Sequence, residues 1–249
     1  MRLGLTLPIF STDPSDYRAV AAVAESAGID GVFVFDHLWP LGRRDRPALS
    51  AFPVLAEVAA STTTVVVGTL VARVGLRDDD DLFAAFSTVG RIAGPGRVIA
   101  GLGTGDHRSK AENLAYGVAF DAAAERVARM ARTAERLRAA GFTVWVGGRS
   151  AGVREAAAVH ADALNVWGAA PEQLAAEAAD LRSRAGPRPV QVTWGGPVDP
   201  AGDAVGELRC LDQAAGGLSW IVAALGPDVG QHLERVKNLA EVRAALAVG

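Results

Sequence analysis

Short apolar runs alternate along the chain with longer stretches in which apolar residues recur every three to four positions. The short runs predict buried strands, and the long ones predict amphipathic helices. Strands are expected at Leu3–Leu7, Gly31–Phe35, Thr64–Leu70, Arg97–Leu102, Thr143–Val146, Ala163–Val166, Pro189–Trp194 and Leu218–Ala224. Helices are expected at Pro14–Ala27, Phe52–Ser61, Asp79–Ala93, Asp121–Ala140, Ser150–His160, Pro171–Arg184, Asp203–Ala215 and Asp228–Ala247. The helix over 79–93 carries Leu82, Phe83, Phe86, Val89 and Ile92 on one side. The helix over 121–140 carries Val127, Met130, Ala134 and Leu137, with Asp121 as N-cap and Gly141 as stop.

Strands that read as nearly continuous apolar runs belong in a parallel sheet buried on both faces. Eight strand–helix units in 249 residues are the size of a TIM (β/α)8 barrel, expected as one domain over residues 1–249. The alternative is a doubly wound open sheet, which carries a glycine fingerprint after its first strand. Leu7-Pro8-Ile9 stands there instead.

In a barrel of this kind the chemistry sits at the C-terminal ends of the strands. Strand two ends in Asp36-His37-Leu38-Trp39-Pro40, strand three in Gly68-Thr69-Leu70-Val71-Ala72-Arg73, and strand four in Gly101-Leu102-Gly103-Thr104-Gly105-Asp106. Strand five ends in Val146-Gly147-Gly148-Arg149-Ser150, strand six in Asn165-Val166-Trp167, and strand seven in Trp194-Gly195-Gly196. His37 is a candidate proton-handling group or a half-buried packing residue, with Asp36 to orient a neighbour or cap a loop. Gly147, Gly148, Arg149 and Ser150 precede a helix, so their free amides form a candidate anion cradle. Gly195 and Gly196 compete for that role. The Gly103–Gly105 turn offers backbone amides to a planar polar ligand, with Asp106 as an acid at the mouth or as a cap. Trp39, Trp167 and Trp194 are candidate walls of an apolar pocket or packing under the rim.

Composition narrows the class. A net charge of −3 argues against a nucleic-acid partner. The longest apolar run, Leu218–Leu225, is too short for a membrane span. Cys210 is the sole cysteine, and no histidine is spaced for a metal site. The acidic run Asp78–Asp81 complements a helix dipole. No G-x-S-x-G elbow is present. The N-terminal MRLGLTLPIF reads as a strand without a cleavable signal pattern. A cytoplasmic protein is expected.

Four segments, AESAGIDGVFVFDHLWP (24–40), LAEVAASTTTVVVGTLVARVGLR (55–77), GRVIAGLGTGD (96–106) and VWVGGRSAGVREAAAVHADALNVW (144–167), together resemble the bacterial-luciferase-like flavin-dependent oxidoreductases. The resemblance implies a TIM barrel that binds FMN or the deazaflavin F420 at its mouth, and either activates oxygen as a monooxygenase or exchanges a hydride with a small-molecule substrate. It implies that His37 lies near the cofactor ring with Asp36 beside it, and that Leu70–Val71 is a non-prolyl cis peptide bulging against that ring. It further implies that Gly103, Thr104 and Gly105 contact the cofactor, and that Asp106 replaces the family's usual Glu as a catalytic acid. Gly147 and Gly148, with Arg149 and Ser150, would hold the phosphate, which favours that cradle over Gly195–Gly196. A homodimer is the family's common assembly, and an FMN monooxygenase would draw on a flavin reductase. Two departures stand out: the chain is short for the family, and the usual Arg-x-Pro before helix three reads Arg77-Asp78-Asp79. A non-catalytic barrel that keeps the flavin-type ligand is the competing function. A metal-dependent or lyase-type barrel enzyme is a third.

Overall fold

The computed structural model describes residues 1–11, 13–40 and 43–247. Strands β1 (Arg2–Thr6), β2 (Gly31–Val34) and β3 (Val66–Thr69) are followed by the short β4 (Ala72–Arg73), which continues the rim beyond β3. The remaining strands are β5 (Val98–Gly103), β6 (Thr143–Gly147), β7 (Ala163–Trp167), β8 (Gln191–Pro197) and β9 (Trp220–Ala224). Every pairing is parallel. β1 pairs with both β2 and β9, and β3 pairs with β5, so the sheet closes on itself. With β4 counted as an extension of β3, the ring has eight strands, as the alternation of apolar runs requires.

The helices around it are α1 (Pro14–Ser26), α2 (Ala51–Ser61), α3 (Asp79–Ala93), α4 (Lys110–Ala115), α5 (Ala123–Ala139), α6 (Ala151–His160), α7 (Pro171–Ala185), α8 (Ala204–Ala215) and α9 (His232–Ala247). Eight of these match expected helices. The short α4 is an addition that no apolar stripe announces. Two details of the expected stripes change. Ile92 of α3 is exposed, because Leu82, Phe86, Val89 and Ala93 already cover the strands. Asp121 does not cap α5: the helix starts at Ala123, and the Glu125 carboxylate accepts from the Ala122 amide at 3.1 Å.

Two apolar layers form. The larger lies between the barrel's outer face and the helices. The smaller plugs the barrel's interior with Phe33, Trp145 and Trp220. The rings of Phe33 and Trp145 stack at 5.2 Å, and Trp220 meets Phe33 edge-on at 5.7 Å. Three indole or phenyl rings fit inside an eight-stranded barrel only if the strands beside them carry no side chain. A Cβ on Gly4 would come within 2.8 Å of the Phe33 ring, one on Gly31 within 3.0 Å of Trp220, and one on Gly68 within 2.8 Å of a backbone oxygen. These glycines serve close packing. Above the plug the interior is open.

At the opposite end from that opening, Asp30 ties the first strand to the last helix. Its carboxylate accepts from the Leu3 amide and from Arg243 Nε and Nη2, each at 2.8 Å. Burial alone raises its pKa, but the bonds from Arg243 and the Leu3 amide outweigh it and hold the carboxyl below its ordinary value. A depressed carboxyl stabilises the fold above its unfolded pKa and loses that stabilisation as pH falls through the folded value. Because Arg243 is partly solvent-screened, Asp30→Asn is expected to cost about 1 kcal/mol at neutral pH. Urea unfolding at several pH values should show that difference shrinking below about pH 4. A constant difference down to acid pH would mean that the ion pair contributes nothing.

Candidate functional site

The open end of the barrel is a cavity of about 620 Å³, within the range of small-molecule sites. Its walls come from the ends of successive strands. Phe10 and Phe35 stack at 5.9 Å, and Trp167 meets Phe35 edge-on at 5.4 Å, giving one continuous aromatic side. His37 stands at the end of this wall, 6.5 Å from the Phe10 ring. Leu70 and Val71 enter from between β3 and β4, and the peptide joining them is cis. Gly103, Thr104, Gly105 and Asp106 follow β5, and Gly147, Gly148, Arg149 and Ser150 follow β6. Asn165 of β7 completes the lining, its amide donating to Thr193 Oγ1 at 2.9 Å.

Val71 explains two of the glycines. A Cβ on Gly103 would fall 2.3 Å from Val71 Cγ2, and one on Gly147 would fall 2.9 Å from Cγ1. The bulge therefore rests on bare backbone from β5 and β6. Gly148 has φ +136°, a conformation that suits glycine alone.

The start of α6 is a donor-rich edge. Ser150 Oγ accepts from the Val153 amide at 3.3 Å, while the amides of Arg149, Ser150, Ala151 and Gly152 donate to no described group. Helix-start amides left free in this way, with the Arg149 side chain exposed beside them, could hold an anion. The competing pair behaves otherwise. A Cβ on Gly195 would meet the Trp167 ring at 2.7 Å, and one on Gly196 would meet the Trp194 ring at 2.5 Å. Indole rings cover both glycines, which leaves no cradle there.

A buried charged cluster lies beneath His37. Its Nδ1 is 3.1 and 3.2 Å from the two carboxylate oxygens of Glu112, a fully buried side chain on α4. Arg73 Nη2 lies 2.5 Å from Glu112 Oε2, as an ion pair whose N–H is not aligned for a hydrogen bond. The rest of the Arg73 fork is aligned: Nε donates to Asp36 O at 3.1 Å, and Nη1 to Ser109 O and Asn113 Oδ1 at 3.3 Å. Burial pulls the Arg73 guanidinium below its ordinary pKa, opposed by the charges of Glu112 and Asp36. It remains a cation, since a guanidinium does not lose its proton in proteins. Asp36, 4% exposed, accepts from the Arg73 amide at 3.1 Å and grips Arg77 through both oxygens at 2.7 and 3.1 Å.

The expected site residues separate on these positions. His37, Leu70, Val71, Gly103, Thr104, Gly105, Asp106, Gly147, Gly148, Arg149, Ser150 and Trp167 line one cavity. Asp36 does not line it, because Arg77 and the Arg73 amide occupy its carboxylate. Trp194 does not either: it is 6% exposed in the outer layer, and its indole N–H donates to Ala169 O at 3.0 Å. Register explains the difference. Trp194 pairs with Val166 while Trp167 pairs with Gly195, and paired residues point to the same face. Trp39 lies in a separate depression, stacked on Tyr116 at 6.2 Å beneath Arg44.

Asp106 lines the mouth but closes a turn. Its Oδ1 accepts from the amides of Arg108 and Ser109 at 2.9 and 3.1 Å and from Ser109 Oγ at 3.3 Å. Burial raises its pKa, but those bonds prevail and hold the carboxyl below its ordinary value. Near neutral pH it is a carboxylate that accepts hydrogen bonds and has no proton to donate.

Glu112, Phe10 and Phe35 are not singled out by the sequence as site residues, and Arg73 and Asn165 stand at strand ends without an assigned role. Phe35 and Asn165 stand at strand ends and were legible by the rule that found His37. Glu112 sits on a helix of six residues with no apolar periodicity, and nothing local marks it.

Among the described residues no group of His, Cys, Asp and Glu is clustered for a metal, and no helix is long and apolar enough to cross a membrane.

Comparison with known proteins bears on the same architecture. The chain is 37% identical over 150 residues to an F420-dependent glucose-6-phosphate dehydrogenase of Beutenbergia cavernae, covering 60% of this chain and 42% of the relative. It is 38% identical over 138 residues to the enzyme of the same name from Kineococcus radiotolerans, covering 55% and 40%. The chain thus spans about two-fifths of the length of these relatives. A solved F420-dependent secondary alcohol dehydrogenase, bound to an F420–acetone adduct, superposes with a TM-score of 0.80 at 17% identity over 98% of both chains. The monooxygenase RslO1 of Streptomyces bottropensis superposes at 0.77 with 14% identity, over 98% of this chain and 99% of that one. These two establish the fold alone. Residues 1–141, more than half of the chain, match the family described as luciferase-like monooxygenase, and the chain belongs to that family.

Proposed function

We propose that this barrel is an F420-dependent oxidoreductase that exchanges a hydride with a small organic substrate in the cavity at its open end. The observation that carries the reading is that one cavity joins three things: the uncommitted amides at the start of α6, the Val71 bulge seated on Gly103 and Gly147, and His37. The names of the curated relatives support F420 over FMN.

The residues fit such a cofactor on this chain's own chemistry. Arg149 and the free amides of Arg149–Gly152 would hold its phosphate. Gly103 and Gly147 keep the Val71 seat clear of side chains, so an apolar face is presented to a ring. When bound, the deazaflavin supplies the hydride acceptor or donor. The chain supplies the rest. The Phe10–Phe35–Trp167 side excludes water from the substrate, and His37 Nε2 takes or returns the proton of the substrate's hydroxyl.

Titration of the purified protein with F420 and, separately, with FMN tests the reading. F420 is expected to bind, and its absorbance is expected to be lost on addition of an alcohol from a panel that includes glucose 6-phosphate. Binding of FMN but not F420 would transfer the site to flavin monooxygenase chemistry, which needs a reductase to supply reduced FMN. Binding of F420 without turnover of any substrate would favour a non-catalytic barrel. Gly148→Asp forces a side chain into φ +136° and sets a negative charge beside the cradle. It is expected to weaken F420 at least about ten-fold, or roughly 1.4 kcal/mol, and unchanged affinity would reject the cradle.

A further inference from the structure

We propose that Glu112, backed by Arg73, is a positioning residue that holds His37 with its proton on Nδ1, leaving Nε2 as the bare nitrogen facing the cavity. The catalytic consequence rests on the oxidoreductase reading above; the tautomer itself does not.

The argument begins with donors and acceptors. A carboxylate accepts and does not donate. Both Glu112 oxygens lie within 3.2 Å of His37 Nδ1, so the shared hydrogen belongs to Nδ1. Nε2 has no hydrogen-bond partner among the described residues and is not a buried orphan, and the ring lines the cavity. Nε2 is therefore the atom a ligand meets.

The charges near the ring's buried side are matched. Glu112 from α4 faces Nδ1 and is paired with Arg73 from β4, while Asp36, next to His37 in the chain, is paired with Arg77. Arg77 is matched by Asp36, and Arg73 by Glu112, so two cations meet two anions. In the neutral imidazole, Nδ1–H therefore points toward Glu112 and the lone pair sits on Nε2.

That state suits the proposed reaction. With a deazaflavin bound as hydride acceptor, oxidation of an alcohol would require its O–H proton to pass to Nε2 as the carbinol hydride leaves. The substrate would leave as a carbonyl, and His37 would become an imidazolium. Glu112 then faces that new cation at hydrogen-bond distance. Without Glu112 the ring is free to adopt the other tautomer, in which Nε2 carries hydrogen and cannot accept the proton. Glu112 touches neither substrate nor cofactor and acts only through His37.

Nitrogen-15 NMR on the free protein at pH 8 tests this without cofactor. Long-range proton–nitrogen spectra distinguish the tautomers, and His37→Gln identifies the signal. The wild type is expected to show a protonated, pyrrole-type Nδ1 and a bare, pyridine-type Nε2. Glu112→Gln should mix or reverse that pattern, and Glu112→Asp should restore part of it. With F420 and a substrate alcohol, Glu112→Gln is expected to lower kcat about 100-fold while F420 affinity changes less than about three-fold. If that variant does not fold, the double variant Arg73→Met/Glu112→Gln removes the ion pair as a unit and carries the same expectation. A wild-type His37 that is protonated on Nε2, alone or on both nitrogens, overturns the proposal. So does a folded variant with the wild-type tautomer. A correct tautomer in a protein that turns over no substrate supports this assignment and counts against the oxidoreductase reading instead.

Discussion

Arg73→Met is expected to cost about 3–5 kcal/mol of folding stability, the usual effect of removing one partner from a buried ion pair. Arg73 is 4% exposed and Glu112 is fully buried. Methionine fills much of the same space but leaves the Glu112 carboxylate facing only His37. It also strips donors from Asp36 O, Ser109 O and Asn113 Oδ1. These acceptors sit where water does not readily replace the guanidinium, so the loss is a desolvation penalty as much as a lost attraction. Chemical denaturation of wild type and variant with equal m-values measures it. The double variant Arg73→Met/Glu112→Leu should recover most of the loss, because a buried pair replaced together by apolar groups is often close to neutral. A loss under about 1 kcal/mol in the single variant would show that the pair is solvated and would remove its claim to organise the site.

The second large effect concerns the seat of Val71. Gly103→Ala would set a methyl 2.3 Å from Val71 Cγ2, a separation that no packed pair sustains. Either Val71 leaves its seat for the cavity or β5 moves away from it. Overpacking of this kind costs about 1–3 kcal/mol, and a displaced Val71 occupies space the cofactor needs. F420 binding is expected to fall at least about ten-fold. Val71→Ala trims the offending branch, so Gly103→Ala/Val71→Ala should bind better than Gly103→Ala alone. Gly101 offers a control from the same strand. A methyl there would lie 2.0 Å from the Thr69 carbonyl oxygen, which no side-chain trimming can relieve, and Val71→Ala should not rescue Gly101→Ala. If Gly103→Ala binds F420 as the wild type does, Val71 is not a platform for the ring.

How much of the site was legible follows from what each residue depends on. Gly147 to Ser150 stand where a strand turns into a helix, and that turn is a local signal. Asp36 reads from sequence as a group that orients a neighbour or caps a loop. Its neighbours along the chain do not reveal that Arg77, 41 positions later, takes both its oxygens. Asp106 reads as an acid at the mouth or as a cap, and the donors within three residues of it close a turn on its carboxylate.

The sequence by itself determined the barrel, its strand–helix order and the strand ends that carry polar and glycine residues. Those properties rest on periodicity and turn chemistry, which act over a few residues. Tertiary structure decided which tryptophan faces the cavity, because one residue of strand register turns a side chain from one face to the other. It also decided the partner of His37. Glu112 is 75 positions away, and only closure of the ring, with β4 against β5, brings α4 beneath the end of β2 and buries the carboxylate where an imidazole must answer it.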